Sequence, residues 1–166
     1  MNEKFTVGII VSNHFGVLNR VAGLYAKRGY NIDSLAVGET ENPAYSRMTI
    51  VSTGDEYMRN QVLRQLEKLH DVKMAVLLSN DDSVSIEHML IKLKVGDGGK
   101  AAVSDLINDY GGKVMDFGGD FITAEIAGSS EKIERLIEAA RSIGILEVCR
   151  SGLISMIQGT DNVLTI

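Results

Sequence analysis

Apolar and polar residues alternate at the start of the chain with the period of a β-strand. Every second position within Lys4–Ser12 carries a large apolar side chain, which gives this predicted strand one strongly apolar face. From Val17 onward, apolar residues recur at the three- and four-residue spacing of an amphipathic helix, and the pattern stops at Gly29 after two cations. The pattern therefore predicts a strand followed by a helix.

The next segment predicts a hairpin, a second helix and a fourth strand. Asn31–Thr40 and Tyr45–Thr53 have the composition of strands, and the polar turn between them contains Pro43, the only proline. Thr53-Gly54-Asp55-Glu56 has the form of a helix-capping box in which the threonine is the cap. Alternation over Val72–Leu78 completes the order β-α-β-β-α-β, which is that of a ferredoxin-like fold.

The second half of the chain repeats this order. Its predicted elements are a strand over Val84–Val95, a helix that ends at Gly111, a hairpin of Lys113–Phe117 and Phe121–Ala127, a helix capped by Ser129 or Ser130, and a strand over Ile145–Arg150. We therefore expect an α+β protein made of two ferredoxin-like βαββαβ modules in tandem. The modules are predicted at residues 1–79 and 84–166, with the polar residues 80–83 as a linker.

The two halves share a scaffold but not their polar residues. Superimposing them aligns the start, core and end of the first helix in each half, as Gly16 with Gly99, Leu24 with Ile107 and Gly29 with Gly112. Asn13 falls on Gly96, however, and Asn31 falls on Val114. We therefore expect the functional site in the N-terminal half.

Composition and charge exclude several classes of function. The formal net charge is −5, and no stripe of Lys and Arg overrides it, which disfavours binding to nucleic acid. Cys149, the only cysteine, lies in an apolar strand-like stretch and is predicted to be a reduced core thiol. Met1–Val7 lacks the features of a signal peptide, and no apolar run is long enough to cross a bilayer. We expect a cytoplasmic protein with no membrane partner.

The titratable residues form no pattern typical of a catalytic or metal site. His14, His70 and His88 lie on different predicted elements, and none has partners at a metal-ligand spacing. Gly96–Lys100 lacks both the first glycine and the final Ser or Thr of a phosphate-binding loop, so it predicts a flexible loop. We expect no catalytic residues and no bound metal.

The residues Asn13–Val17, between the first strand and the first helix, suggest a site for a free amino acid. A helix N-terminus exposes unpaired N–H groups that bind a carboxylate, and Gly16 allows a ligand to approach that backbone closely. The Asn13 side chain can both accept from an ammonium group and donate. The alternative is purely structural: Asn13 caps the helix, and Gly16 relieves a tight turn.

Several motifs along the chain are recognisable together. In the first half they are Asn13-His14-Phe15-Gly16-Val17-Leu18, Arg20-Val21-Ala22-Gly23-Leu24, Arg28-Gly29-Tyr30-Asn31-Ile32-Asp33-Ser34-Leu35, Val37-Gly38-Glu39-Thr40, Pro43 and Ser46-Arg47-Met48-Thr49-Ile50. Near the C-terminus the motif is Glu147-Val148-Cys149-Arg150-Ser151-Gly152. Together these residues resemble the small regulatory subunits of acetolactate synthase, and the first half resembles their ACT domain. The resemblance spans nearly the whole chain.

This resemblance implies a regulatory subunit and not a catalyst. Members of the family bind the thiamine-diphosphate-dependent catalytic subunit, raise its activity and confer feedback inhibition, usually by valine. The enzyme forms acetolactate or acetohydroxybutyrate at the first common step toward the branched-chain amino acids. The resemblance implies that thiamine diphosphate, Mg and FAD belong to the catalytic large subunit and that this chain holds no cofactor.

The resemblance also implies a homodimer that binds its effector between two ACT domains. In the family, the strand–helix loop of one chain and the start of the second strand of the other hold the ligand. Carried over, the first set is Asn13, Gly16 and Val17, with Val11 as the floor of the pocket, and the second set is Asn31 and Ile32. The family commonly has a polar residue and then Pro or Ser where this chain has His14-Phe15. Phe15 is bulky enough to narrow the pocket or to change the loop.

Two other functions remain as alternatives. A free-standing ACT-type amino-acid sensor, acting on another protein or on gene expression, would have the same pocket. The motifs at Ser46–Met48 and Glu147-Val148, together with the lack of a DNA-reading basic helix, favour the subunit. A small enzyme with an unrecognised site is disfavoured because no nucleophile, base or metal set is visible.

Overall fold

The computed structural model describes residues 3–96 and 99–159, which form two compact units. The first unit runs to Ser85 and includes the chain from Leu153 onward, and the second is Ile86–Gly152. Residues 97 and 98 of the predicted glycine-rich loop, and residues 160–166 of the predicted second module, lie outside the described residues. None of the helices in the described ranges combines the length and apolar character needed to cross a bilayer.

The first unit is a four-stranded antiparallel sheet with two helices. Its elements are β1 (Glu3–Ser12), α1 (Val17–Lys27), β2 (Ser34–Glu39), β3 (Tyr45–Gly54), α2 (Glu56–Leu66) and β4 (Val72–Leu78). The strand order is β2-β3-β1-β4, so β1 is central and β2 is an edge strand. This order of elements is the βαββαβ arrangement that the sequence predicts.

The helices pack on the face of the first sheet that the alternation of β1 makes apolar. The core on this face is mainly aliphatic and comprises Phe5, Val7, Ile9, Val11, Val17, Val21, Tyr25, Met48, Ile50, Val62, Leu66 and Ala75. Burial of apolar surface stabilises the fold by about 25 cal/mol per Å², so this face fixes how α1 and α2 lie on the sheet. Burial also raises the pKa of the Tyr25 hydroxyl above its ordinary value.

The second unit has the same architecture. Its sheet has the strand order β6-β7-β5-β8, and its elements are β5 (Ser83–Lys94), α3 (Gly99–Asp109), β6 (Lys113–Phe117), β7 (Phe121–Gly128), α4 (Ser130–Ala140) and β8 (Ile145–Ile157). The first three residues of β5 and the last five of β8 group with the first unit. Its core residues are Met89, Ile91, Leu93, Val103, Ile107, Ile122, Ala124, Ile126, Ile133, Leu136 and Ala140. The predicted tandem of ferredoxin-like modules is thereby confirmed.

A buried ion pair ties β8 to β5 and α4 in the second unit. Glu87 is 3 % exposed and accepts two hydrogen bonds from the Arg150 guanidinium, one of them at 2.9 Å from Nη2 to Oε2. Arg150 Nη1 also donates to Glu134 Oε1 at 2.6 Å. The hydrogen bond to Glu87 raises the pKa of Arg150 above its usual value. Arg150 of the C-terminal motif therefore has a structural role in this unit.

The capping residue of α2 is Asp55 and not Thr53. The Asp55 carboxylate accepts from the backbone N of Met58 at 2.7 Å, and the helix begins at Glu56. Thr53 lies in β3, and its hydroxyl donates to Asp33 Oδ2 at 2.6 Å. The predicted capping box is wrong because a carboxylate directly before the helix accepts the first-turn N–H more strongly than a hydroxyl does.

The two halves correspond in a register one residue away from the predicted one. The backbone N of Tyr30 donates to Tyr25 O at 3.0 Å, and that of Gly112 donates to Ile107 O at 2.8 Å. Tyr25, and not Leu24, is therefore the counterpart of the buried Ile107. The prediction failed here because adjacent residues on a helix fit the same apolar stripe nearly equally well.

Strand β8 is longer than predicted, and Cys149 within it is exposed. The sequence places the end of this strand at Arg150, whereas the strand continues to Ile157. The prediction of a core thiol is wrong, since β8 is an edge strand and successive side chains point to opposite faces of the sheet.

The last residues of β8 contact the first sheet, which is why they group with the first unit. Arg47 Nη2 donates to Ser155 O at 2.6 Å, and the backbone N of Leu153 donates to Ser34 Oγ at 3.0 Å. Burial lowers the pKa of the Arg47 guanidinium below its ordinary value. The sequence assigns these residues to the predicted second module, but in the structure their hydrogen bonds are to β2 and β3 of the first unit.

We predict that Gly112→Ala destabilises the second unit. A Cβ at position 112 would lie 2.8 Å from Ile107 Cγ2, 2.9 Å from Ile126 Cγ1 and 3.1 Å from the backbone O of Glu125. Overpacking of this kind costs about 1–3 kcal/mol of unfolding free energy. The matched control is Gly119→Ala, because a Cβ there meets nothing within 4 Å. Urea unfolding followed by circular dichroism measures both variants, and equal stability would contradict the packing described for Gly112.

Candidate functional site

The turn between β1 and α1 is built around a left-handed glycine. Gly16 has φ of 87° and immediately precedes α1, and no side chain caps the first turn of this helix. The backbone N of Val17 donates to His14 O at the long distance of 3.4 Å. The first-turn amides therefore lack the side-chain acceptor that most helices have, and they point at the turn.

Asn13 is held by the hairpin and does not cap the helix. Its Nδ2 donates to Glu39 Oε1 and to Pro43 O, each at 3.0 Å, and its backbone N donates to Ala44 O at 2.7 Å. Both side-chain N–H donors are thus used, which leaves the Asn13 side-chain oxygen as the atom that can accept from a ligand. Asn13 therefore does not cap the helix, as the structural alternative predicted, but is bonded to the hairpin, whereas Gly16 does relieve a tight turn.

Val11 and Val17 lie beneath this turn, in the core of the first unit. They are 1 % and 3 % exposed. What Val17 can offer to a ligand in this chain is therefore its backbone and not its side chain.

Asn31 and Ile32 lie on the segment that leads into β2. Asn31 Nδ2 donates to Asp33 Oδ1 at 2.6 Å, and the backbone N of Asp33 donates to Val51 O at 2.8 Å. Ile32 is half-buried against the core of the first unit. Among the described residues, no hydrogen bond joins this segment to the Asn13 side chain. The core of the first unit also contains Val11 and Val17, so two residues of the first predicted set and one of the second share it.

Exposed apolar side chains lie close in sequence to the predicted site. Phe15 is 99 % exposed at the apex of the turn, Leu18 is 46 % exposed on α1, and Val37 is 47 % exposed on β2. Because β2 is an edge strand, its outer N–H and C=O groups have no partner strand in this sheet. Phe15 therefore does not fill a pocket in the single chain.

Asp71, which sequence reasoning missed, connects this turn to the start of β4. It is 5 % exposed, and its Oδ1 lies 3.0 Å from His14 Nε2. Its Oδ2 accepts from Arg20 Nη1, and its backbone O accepts from the N of Ser12 at 2.8 Å. The signal available in the sequence was a single aspartate directly before an apolar strand, which is common in turns and did not indicate a tertiary contact.

The first unit also has a cleft that does not involve the turn. A shallow cleft of about 470 Å³ lies where β1 begins, lined by residues that include Glu3, Lys4, Asp55 and Glu56. It is far along β1 from the turn after Ser12. Within the described ranges, no group of three or more His, Cys, Asp or Glu residues is arranged to hold a metal ion.

Comparisons with known proteins identify relatives over nearly the whole chain. Residues 7–74 match the family model described as an AHAS small subunit-like ACT domain, and residues 86–159 match the model described as small subunit of acetolactate synthase. The acetolactate synthase small subunit of Mycobacterium leprae is 37 % identical over 97 % of this chain and 95 % of its own. The isozyme 3 small subunit of Salmonella typhimurium is 36 % identical over 92 % and 94 %.

A solved structure supports the same assignment. The crystal structure of the acetolactate synthase small subunit from Thermotoga maritima has a TM-score of 0.88 and 31 % sequence identity to this chain. The match covers 95 % of this chain and 99 % of that one. The match therefore includes both modules and not only one.

We predict that Gly16→Ala lowers the stability of the first unit. An L-residue at a left-handed φ costs about 1–2 kcal/mol, while a Cβ at Gly16 meets nothing closer than Arg20 Nη2 at 3.8 Å. The control is Gly23→Ala within α1, where a Cβ meets nothing within 4 Å and alanine favours the helix by up to about 1 kcal/mol. Urea unfolding of both variants should give shifts of opposite sign. A Gly16→Ala variant as stable as the wild type would contradict the left-handed backbone at this position.

Proposed function

Because the chain belongs to the family of acetolactate synthase small subunits, we propose that it binds the catalytic large subunit of that enzyme and regulates it. We propose further that it raises the activity of that subunit and confers feedback inhibition by valine or a related branched-chain amino acid. In this proposal the thiamine diphosphate, Mg and FAD of the reaction stay with the large subunit.

The observation that carries the proposal is that both halves of the chain match models of one family, over residues 7–74 and 86–159. A free-standing ACT-type sensor needs only the first half, so the matched second half supports the subunit.

The turn around Gly16 supports binding of a zwitterion. A carboxylate at this turn would accept from the uncapped amides of the first turn of α1, where the helix dipole is positive. The ammonium group would donate to the Asn13 side-chain oxygen, since the Asn13 nitrogen is already bonded to Glu39 and Pro43. Gly16 permits the close approach because it has no side chain.

A second copy of the chain would complete the site. The edge of β2, with Val37 and the nearby Phe15 and Leu18, offers unpaired backbone groups and exposed apolar surface for a two-fold partner. Such a partner would bring its own Asn31 and Ile32 segment to the turn. Ile32 would then supply apolar contact for an aliphatic ligand side chain, which suits valine, leucine or isoleucine.

A ligand that bridges two chains also explains regulation. It stabilises only those arrangements in which both chains are correctly placed, so it shifts the population toward one state of the dimer. Coupling free energies of about 1–3 kcal/mol are typical and change an activity about 5- to 150-fold. This range is enough for the chain to control a catalytic partner.

Reconstitution with the large subunit tests the function directly. The purified chain should form a stable complex with an acetolactate synthase large subunit, raise acetolactate formation from pyruvate several-fold, and lose most of that increase when valine is added. The chain alone with pyruvate is the control and should form no acetolactate. Absence of a complex, with the large subunit active by itself, would overturn the subunit assignment.

Two substitutions test the effector site within that complex. Asn13→Ala removes the proposed ammonium acceptor, and Gly16→Asp places a carboxylate where the ligand carboxylate would bind. Both should abolish inhibition by valine and leave activation of the large subunit largely intact.

The control for these substitutions is Asn60→Ala, at an exposed position of α2 away from the turn, and it should leave inhibition unchanged. Normal inhibition of either site variant by valine would contradict the assigned pocket.

A further inference from the structure

Asp71 is a buried carboxylate whose contacts converge on the effector turn. It precedes β4 and is 5 % exposed, and a buried carboxylate is costly unless cationic or hydrogen-bond partners compensate it. Here Arg20 and His14 contact one carboxylate oxygen each. The groups that compensate the buried Asp71 carboxylate therefore lie in the turn and in α1.

The contacts of Asp71 hold both ends of the turn. On the strand side, the backbone N of Ser12 donates to Asp71 O at 2.8 Å, and His14 Nε2 lies 3.0 Å from the carboxylate, so the residues on either side of Asn13 are fixed. On the helix side, the backbone N of Arg20 donates to Gly16 O at 3.1 Å, and the Arg20 side chain reaches Asp71. Asp71, directly before β4, thus holds the residues that flank Asn13 and Gly16.

We propose that Asp71 is the positioning residue of the effector site, acting through Arg20 and His14 to hold the turn in its ligand-binding conformation. This inference rests on the proposed function of the turn. Asp71 does not touch the ligand in this account. It contributes by ordering the turn before the ligand arrives, which lowers the entropy lost on binding.

The alternative is that Asp71 stabilises the fold and nothing more. A structural role would lower the unfolding temperature and weaken activation and inhibition together. A positioning role would weaken valine binding while leaving maximal activation of the large subunit unchanged. Separate measurement of valine affinity and of maximal activation therefore separates the two roles.

The experiment compares substitutions at Asp71 and Arg20 in the full chain bound to the large subunit. Asp71→Asn keeps the shape but removes the charge, and Arg20→Gln removes the cation at a half-exposed position where folding is less at risk. Each should raise the valine concentration for half-maximal inhibition roughly tenfold. Arg20→Lys keeps the charge and should recover most of the affinity lost in Arg20→Gln.

The matched control is Glu87→Gln, a buried carboxylate of the second unit that is paired with Arg150. Its side chain is 4 % exposed, against 6 % for that of Asp71, so both substitutions remove a comparable buried charge. Glu87→Gln should lower the unfolding temperature without changing valine affinity. Calorimetric titration with valine and a thermal unfolding scan measure these two effects of Glu87→Gln.

The outcomes distinguish this inference from the function on which it rests. If the wild-type chain binds none of valine, leucine and isoleucine, the effector site fails and this inference fails with it. If the wild type binds valine and Arg20→Gln binds it equally well, the inference alone is overturned. Should Asp71→Asn fail to fold, the comparison of Arg20→Gln with Arg20→Lys still decides the question.

Discussion

The packing of α1 onto the apolar face of the central strand β1 is the constraint on which the rest of the first unit depends. β1 ends at Ser12, and only a short turn separates it from Val17, the buried first residue of α1. The chain reverses in that distance through a left-handed glycine at position 16. The same geometry leaves the first turn of α1 without a side-chain cap, so one packing requirement produces both the turn and its uncapped amides.

The repeated scaffold carries different polar chemistry in its two halves. Each unit has a buried carboxylate compensated by arginine, but Asp71 is tied to the turn before α1, whereas Glu87 is tied to β8 and α4. The two units therefore share the element order and an aliphatic core, whereas their buried carboxylates hold different segments. This difference agrees with the proposal of an effector site in the first half. It also agrees with a structural role for Glu87, Glu134 and Arg150 in the second half.

Sequence patterns predicted those features that depend on periodicity and missed those that depend on tertiary contacts. Alternation and helical spacing predicted the order of all the elements, because most of them bury one apolar face, although β6 is exposed throughout. The strand-to-helix junction and the resemblance both indicated the turn at Gly16, but Asp71 was missed because its partners lie far away in sequence. The exposure of Cys149 followed from the edge position of β8, which pairing order determines and local composition does not.

The exposed aromatic ring at the apex of the turn has a practical consequence. Phe15 is 99 % exposed, so its replacement by another large aromatic residue removes no core contact. The chain contains no tryptophan, and an indole at this position would be its sole source of tryptophan fluorescence. Emission from that one fluorophore would report on the surroundings of the turn in solution.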